Sequence, residues 1–413
     1  MQHWGIRIDN QSETRNFIAA LFQNPPKGFE GLSDKKGALF SDSEIGRYLD
    51  EEERHDLKLL TANTQQSLKT MSSGERKKAL LAYLLKQHPD FLVLVNPYDN
   101  LDAKSQESFK SQLRKLSKSI VLIQLVGRMN DLLFEITTDF GMLKRGEIQF
   151  YNNRAAFLEN FKNEKSPFTT AIPPPLHPIK TDYKELVVFD SVSVSFEGRQ
   201  VLQSIHWTIK KREFWNLIGP NGSGKSTLLN MITGDSHKGY GQNLTLFGQK
   251  KGSGESVWDI KQHIGYFTPA MTDKFRGYHT IENMLISGLH DSIGLYVTPS
   301  DAEKRLADHW LRLLKLNQKK DRYFHELPVG EKRLLMTARA MVKHPPLLIL
   351  DEPTAGLDDD NAHFFVSLVN KIAEESQTTI IFVSHRMEPR LEPNKLFELL
   401  PTKEGSRGMI KSI

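Results

Sequence analysis

Residues 327–358 read LPVGEKRLLMTARAMVKHPPLLILDEPTAGLD. A helix-period stretch reaches a His-Pro turn at 344–345 and passes into the apolar run Leu347–Leu350, which ends on two acids, Asp351 and Glu352. A short apolar run bounded by turn signals suits a strand buried on both faces of a parallel sheet. Residues 71–102, MSSGERKKALLAYLLKQHPDFLVLVNPYDNLD, align with this stretch without a gap: Gly74 meets Gly330, His88 meets His344, Pro97 meets Pro353, and Leu101-Asp102 meet Leu357-Asp358. Outward from the pair, WGIRIDNQSETRN (4–16) matches WNLIGPNGSGKST (215–227), and VGRM (126–129) matches SHRM (384–387). Such self-similarity marks a duplicated unit. The expected organisation is one α/β domain over 1–150, a helix and linker over 151–185, and a second α/β domain over 186–413. The stretch SPFTTAIPPPLHPIKTDYKE (166–185) is Pro-rich and aperiodic, as a semi-rigid linker should be.

Gly219, Pro220, Asn221, Gly222, Ser223, Gly224, Lys225, Ser226 and Thr227 follow the apolar FWNLI (214–218) and precede LLNMI. Strand, Gly-rich loop and helix form the context that a phosphate loop requires. Glycines let backbone N–H groups turn inward toward phosphate oxygens, and the helix N-terminus adds a favourable dipole. In this reading Lys225 reaches the β- and γ-phosphates of a nucleotide, and the Ser226 hydroxyl binds Mg²⁺. Asp351, at a strand end, can hold Mg²⁺ through water, and Glu352 can polarise an attacking water. Two acids after a strand also read as a helix N-cap; the phosphate loop in the same chain favours the catalytic reading. His385 follows the strand TIIFVS and would contact the γ-phosphate. Phe196, in SVSFEGRQVL, sits where an aromatic ring could stack on adenine; taken alone it is a strand residue.

On these residues the C-terminal half resembles the nucleotide-binding domain of ABC ATPases. The whole chain is similar to the tandem-domain ABC ATPases of the molybdenum-transport, or photorepair, type. LTLFGQKKGSGESVWDIKQHIGYF (244–267), outside the general motifs, carries the narrower likeness. The resemblance implies an α/β fold with two P-loop domains of the ABC type, paired head to tail within the chain. Each ATP then lies between the Gly-rich loop of one domain and the signature helix of the other. It assigns the signature to Ser72, Ser73 and Gly74, with Ser72 hydrogen-bonding the γ-phosphate and Gly74 admitting it closely. The family's usual Mg²⁺-contacting Gln falls on Thr268, in IGYFTPAM.

One composite site so implied joins Lys225, Ser226, Asp351, Glu352 and His385 to residues 72–74. The other joins Asp9–Thr14, which has neither glycine nor lysine, to Val95, Asn96 and Gly127 in place of the two acids and the histidine. Its signature, Leu327-Pro328-Val329-Gly330-Glu331, has lost the hydroxyl. Nearly all the losses therefore fall in one shared site, whereas random decay would scatter them over both. The first half is expected to be truncated as well as degenerate. Its interval from loop to signature is 45 residues shorter than in the second half. Its loop begins near residue 8, without the antiparallel strands that normally precede it or an adenine-stacking aromatic; a misplaced start, a fragment, or a domain that has become a scaffold for its signature helix each accounts for this.

The 413 residues exceed one ordinary core. An apolar share of 38% and a charged share of 25% describe a globular chain rather than a disordered one. A net charge of +5 fits a protein that meets phosphates without demanding nucleic acid, and Lys210-Lys211-Arg212 and Lys319-Lys320 read as solvated faces. The absence of cysteine excludes disulfides and Cys-ligated metals. The start, MQHWGIRIDNQSE, lacks a secretion-signal pattern. The apolar runs SIVLIQLV (119–126) and PPLLIL (345–350) are too short to span a bilayer.

The expected function is ATP hydrolysis with ATP and Mg²⁺, energising a separate membrane permease, with molybdate-type import implied by the resemblance. The expected place is the cytoplasm, peripheral at the cytoplasmic face of the inner membrane. A soluble ribosome- or nucleic-acid-associated ABC factor is the alternative. A nonhydrolytic nucleotide sensor is a third reading, against which the intact Glu352 stands.

Overall fold

Six strands form the first sheet: β1 (Trp4–Arg7), β2 (Gly37–Phe40), β3 (Phe91–Val95), β4 (Val121–Val126), β5 (Asp139–Lys144) and β6 (Glu147–Tyr151). Their order is β2-β3-β4-β1-β5-β6, parallel throughout except for the closing β5–β6 hairpin. FLVLV and VLIQLV supply β3 and β4, whose residues are buried almost without break, because a parallel strand covered on both faces has no wet side to alternate with.

Ten strands form the second sheet. They are β7 (Glu185–Phe196), β8 (Arg199–Lys210), β9 (Phe214–Ile218), β10 (Leu244–Leu246), β11 (Gln249–Lys250), β12 (Ile264–Phe267), β13 (Leu347–Asp351), β14 (Thr379–Ser384), β15 (Lys395–Thr402) and β16 (Gly405–Ser412). The order β12-β13-β14-β9-β15-β16 at one end repeats that of the first sheet, with the same parallel pairs and the same antiparallel hairpin. Beyond β16 the sheet continues through β8, β7, β10 and β11. Among the described residues the first sheet has no counterpart of these four strands.

This computed structural model describes residues 1–10, 12–62, 66–159, 167–179, 181–274, 277–385 and 387–412. Gln11 of the first loop, Ser166 and Lys180 of the linker, and Arg386 of the 384–387 match lie outside the described residues. The chain divides into two compact units. Unit 1 is Met1–Glu164 together with Gly356–Asn361, and unit 2 is Lys165–Ala355 with Ala362–Ile413.

The duplication reaches individual backbone angles. His88 and His344, before the prolines, have φ of 51° and 50°, and Asn96 and Glu352, after the buried strands, have φ of 41° and 52°. Left-handed backbone at a non-glycine residue is costly and persists only where the surroundings enforce it. One enforcing bond is common to both units: Asn96 N–H donates to Leu125 O, as Glu352 N–H donates to Val383 O. A buried cation ties down the turn that follows. Lys77 Nζ donates to Pro97 O at 3.3 Å, and Arg333, at the matching position, donates to Pro353 O at 2.8 Å.

Two features differ from a division of the sequence at residues 150 and 185. The helix Arg154–Glu159 turns Phe157 onto Phe140 of β5, with ring centroids 5.3 Å apart, so unit 1 runs on past residue 150. The segment 356–361 belongs to unit 1 because its carboxylates and backbone are hydrogen-bonded to the ends of β1 and β4. The Pro-rich linker lies along unit 2, where Ile172 N–H donates to Glu375, Pro173 O meets His344 Nε2 at 2.7 Å, and Phe168 packs on Phe364.

Candidate active site

In unit 2, β9 delivers the loop 219–224 and the helix Lys225–Ile232 carries the chain away. The turn needs its glycines. Gly224 caps the helix with φ of 98°, and a Cβ there would meet Leu202 Cδ2 at 2.6 Å. Lys225 is only 6% exposed. Its ammonium group folds back onto the loop, donating to Gly219 O at 2.6 Å and Pro220 O at 3.1 Å, and lies 3.5 Å from His385 Nδ1.

The other ring nitrogen of His385, Nε2, lies 2.6 Å from the Glu352 carboxylate. Strands β9, β13 and β14 are neighbours in the sheet, so their C-terminal ends set Lys225, Asp351–Glu352 and His385 side by side. Burial would push Glu352 up, but the hydrogen bond and charge of His385 outweigh it and hold the carboxyl below its ordinary value. Asp351 goes the other way: burial first, then the adjacent Glu352 charge, push it up to about 6. Tyr266 of β12 donates its hydroxyl to Asp351 at 3.3 Å. Sequence reasoning missed this residue, because only the pairing of β12 with β13 brings it there.

The donor set fits a nucleotide triphosphate with a divalent cation. The Ser223 hydroxyl is buried and has no hydrogen-bond partner among the described residues. Ser226 is exposed at the helix start, where the first backbone N–H groups of a helix have no intrahelical acceptor. Among the described residues no group of three His, Cys, Asp or Glu could enclose a metal. Thr268 is half-buried just after β12, and its carbonyl accepts from Met271 N–H.

A cleft of about 400 Å³ opens beside the loop, walled by Gly222, by Arg199, Gln200 and Val201, and by the turn between β15 and β16. Phe196 stands outside that lining, 41% exposed, with Lys238 Nζ 5.2 Å from its ring centre.

In unit 1, Ser72 caps the helix Ser73–Leu85 in a reciprocal box. Glu75 N–H donates to Ser72 Oγ, and Ser72 N–H donates to the Glu75 carboxylate at 2.8 Å. Ser73 Oγ donates to Asn100 O. Gly74 has room: a Cβ there would meet nothing closer than Leu101 Cδ2 at 3.6 Å, an ordinary contact. The helix Val329–Met341, its counterpart in unit 2, begins at Pro328 with no side-chain cap.

Comparison with known proteins agrees with this chemistry. Residues 202–355 match the ABC transporter family. The chain is 36% identical over 341 residues to the ABC transporter ATP-binding protein ModF of Escherichia coli (strain K12), covering 80% of this chain and 69% of that one. It is 32% identical over 328 residues to an uncharacterised ABC transporter ATP-binding protein of Schizosaccharomyces pombe, covering 77% and 66%. Among solved structures, the archaeal ribosome recycling factor aABCE1, in complex with the ribosomal stalk protein aP1, shares the fold. That match covers 100% of this chain and 86% of that one, with a TM-score of 0.65 at 16% identity. The loop, the carboxylate–histidine pair and these relatives agree: the chain is an ABC-type ATPase and belongs to the family of ABC transporter ATP-binding proteins that includes ModF.

Proposed function

We propose that this ATPase hydrolyses one ATP at a time, with its chemistry at Lys225, Asp351, Glu352 and His385. The observation that carries the reading is the continuous contact from the loop through Lys225 and His385 to Glu352, at 3.5 and 2.6 Å. Lys225 leaves the loop carbonyls to neutralise the β- and γ-phosphates. Glu352 orients a water in line with the γ-phosphorus and accepts its proton as the bond to the β-phosphate oxygen breaks. His385 holds the Glu352 carboxylate and contacts the γ-phosphate. Mg²⁺, when bound, neutralises phosphate charge; Ser226 and Asp351 would hold it, with Thr268 at the third position the resemblance assigns. Positioning and charge stabilisation supply most of the rate in phosphoryl transfer. The cleft beside Gly222 receives the base and ribose, with Phe196 at its margin.

Residues 72–74 complete the site as the signature, and unit 1 is a degenerate domain kept for that helix. Support comes from Gly74. Glycine weakens a helix, and the space around it shows that the packing of unit 1 does not call for one. The family relationship to ABC transporter ATP-binding proteins supports a role in energising a separate membrane permease at the cytoplasmic face of the membrane, with molybdate-type import as the transport. No helix among the described residues is long and apolar enough to cross a membrane.

The test is steady-state ATPase of Lys225→Ala. Turnover should vanish, because the phosphates lose their cation. Unchanged turnover would remove the site from residues 219–227.

A further inference from the structure

Asn216 is polar where the sheet calls for an apolar residue. It sits in the middle of β9, FWNLI, between β14 and β15, and is 0% exposed. A buried amide left unpaired is destabilising, so it needs partners. Asn216 finds them on either side of His385. Its Oδ1 accepts from Ser384 Oγ at 3.3 Å, and its Nδ2 donates to Met387 Sδ at 3.4 Å. The far end of the same turn is fixed at Glu388, whose carboxylate accepts from Thr354 Oγ1 at 2.6 Å. His385 therefore hangs between two anchors, Asn216 and Thr354, while its ring lies 3.5 Å from Lys225 Nζ and 2.6 Å from the Glu352 carboxylate. All of these residues belong to unit 2.

Met387 is the weak member of this set. A thioether sulfur is a poor acceptor, and Met387 is 54% exposed although its partner is sealed in the core. Met1 and Met409 are the other exposed methionines among the described residues. Met1 opens the chain and Met409 lies on β16, whereas Met387 is two residues from His385.

We infer that Met387 is an oxidation site through which a peroxide slows hydrolysis, and that Asn216 is the positioning residue through which it acts. The inference rests on the assignment of His385 to the ATP site. The sulfur lone pair attacks one oxygen of hydrogen peroxide; a sulfur–oxygen bond forms and the oxygen–oxygen bond breaks. Sulfur gives up two electrons, and the departing hydroxide takes the proton of the transferred hydroxyl and leaves as water. The product, methionine sulfoxide, is polar and chiral where the thioether was apolar. Its sulfur carries positive charge and no longer accepts a hydrogen bond, and at 3.4 Å no oxygen fits between it and Asn216 Nδ2. Asn216 keeps an acceptor only if residue 387 turns to offer the new oxygen. With Ser384 and Glu388 held, that adjustment falls on the turn between them, which carries His385.

The test is steady-state ATPase of the full chain before and after hydrogen peroxide, with peptide mass spectrometry reporting sulfoxide at each methionine. Conversion of Met387 should lower kcat about fivefold or more and leave KM for ATP within about twofold, since a small misplacement of a catalytic group costs rate rather than binding. A methionine sulfoxide reductase should restore the rate. Met387→Leu has no sulfur to oxidise and should keep at least about two-thirds of its own untreated kcat, whereas Met409→Leu should lose rate as the wild type does. Asn216→Ala should start slower and lose nothing further to peroxide, because the link is already cut. Full kcat in protein oxidised at Met387, a Met387 that peroxide leaves unoxidised in the folded chain, equal losses in wild type and Met387→Leu, or a further loss in Asn216→Ala would each overturn the inference. Lys225→Ala with wild-type turnover would instead overturn the site, and the inference with it.

Discussion

Gly74 and Glu352 make opposite bargains with the backbone. Glu352 accepts a left-handed φ of 52° to bring its carboxylate to His385. Gly74 sits in a helix where a methyl group would fit. Gly74→Ala should therefore stabilise the helix Ser73–Leu85 by a few tenths to about 1 kcal/mol. If residue 74 admits the γ-phosphate, ATPase falls in the same variant; a stabilised and fully active protein would exclude that role. Glu352→Gln should keep ATP binding and slow hydrolysis by about a hundredfold or more, because an amide orients water without accepting its proton. Gel filtration should recover uncleaved ATP with the protein, and recovery of ADP would point to another base. The sequence puts Lys225 on a loop and Glu352 and His385 at strand ends, a local pattern, and the structure brings the three side chains together. Tyr266 was not legible in the sequence. Its hydroxyl reaches Asp351 across 85 residues, through strand pairing that no local pattern announces.

Among the elements, the capping box at Ser72 separates two roles. Ser72→Ala should cost about 1 kcal/mol through the lost cap. Ser72→Arg should abolish ATPase in a folded protein if this helix N-terminus meets a nucleotide, and full activity in that variant would leave the residue a cap and nothing more. A second local device lies between β11 and the helix Val257–Lys261, where Lys251 and Glu255 form a buried ion pair at 2.9 Å. Burial would raise Glu255, but the Gly252 N–H and the Lys251 ammonium overcome it and hold the carboxyl at about 2. A carboxyl depressed on folding stabilises above its unfolded value, near 4.5, and that stabilisation is lost as pH falls toward 2. Glu255→Gln should lower the melting temperature at pH 7 by about 3–6 °C and flatten the acid limb between pH 4.5 and 2. An unchanged acid limb would show that the pair does not govern it. The buried strands and the repeat were readable from apolar runs and turn residues; the six-strand order common to both sheets is set by strand pairing, which those patterns do not give. The four-strand extension of the second sheet is less regular. β7 and β8 pair through several register shifts, which blur the alternation that a sequence pattern relies on.

For the whole molecule, a first loop without glycine or lysine and an intact loop in unit 2 together predict one tight ATP site per chain. Equilibrium dialysis giving two would contradict the loss of the first site. A ribosome-profile sedimentation run with and without ATP separates a transport ATPase from a ribosome-associated factor, since only the latter should shift with nucleotide. The least legible feature was the membership of residues 356–361 in unit 1. Asn10 and Asp358 are 348 positions apart, and nothing in GLDDDN marks it as leaving its own half.

That feature means the chain is interleaved. The polypeptide passes from unit 1 to unit 2 at the linker, returns for six residues, and leaves again along the helix Asp359–Glu375. A protease that nicks the linker breaks one covalent thread and leaves a second, noncovalent one, so the two fragments should co-elute on gel filtration at moderate salt. Residues 1–164 expressed alone would lack Asp360 and Leu357, to which arginines 7 and 128 donate. Residues 165–413 expressed alone would carry the Glu352 segment untethered at its far end. Activity lost by either piece would then report a torn fold before it reported a missing signature.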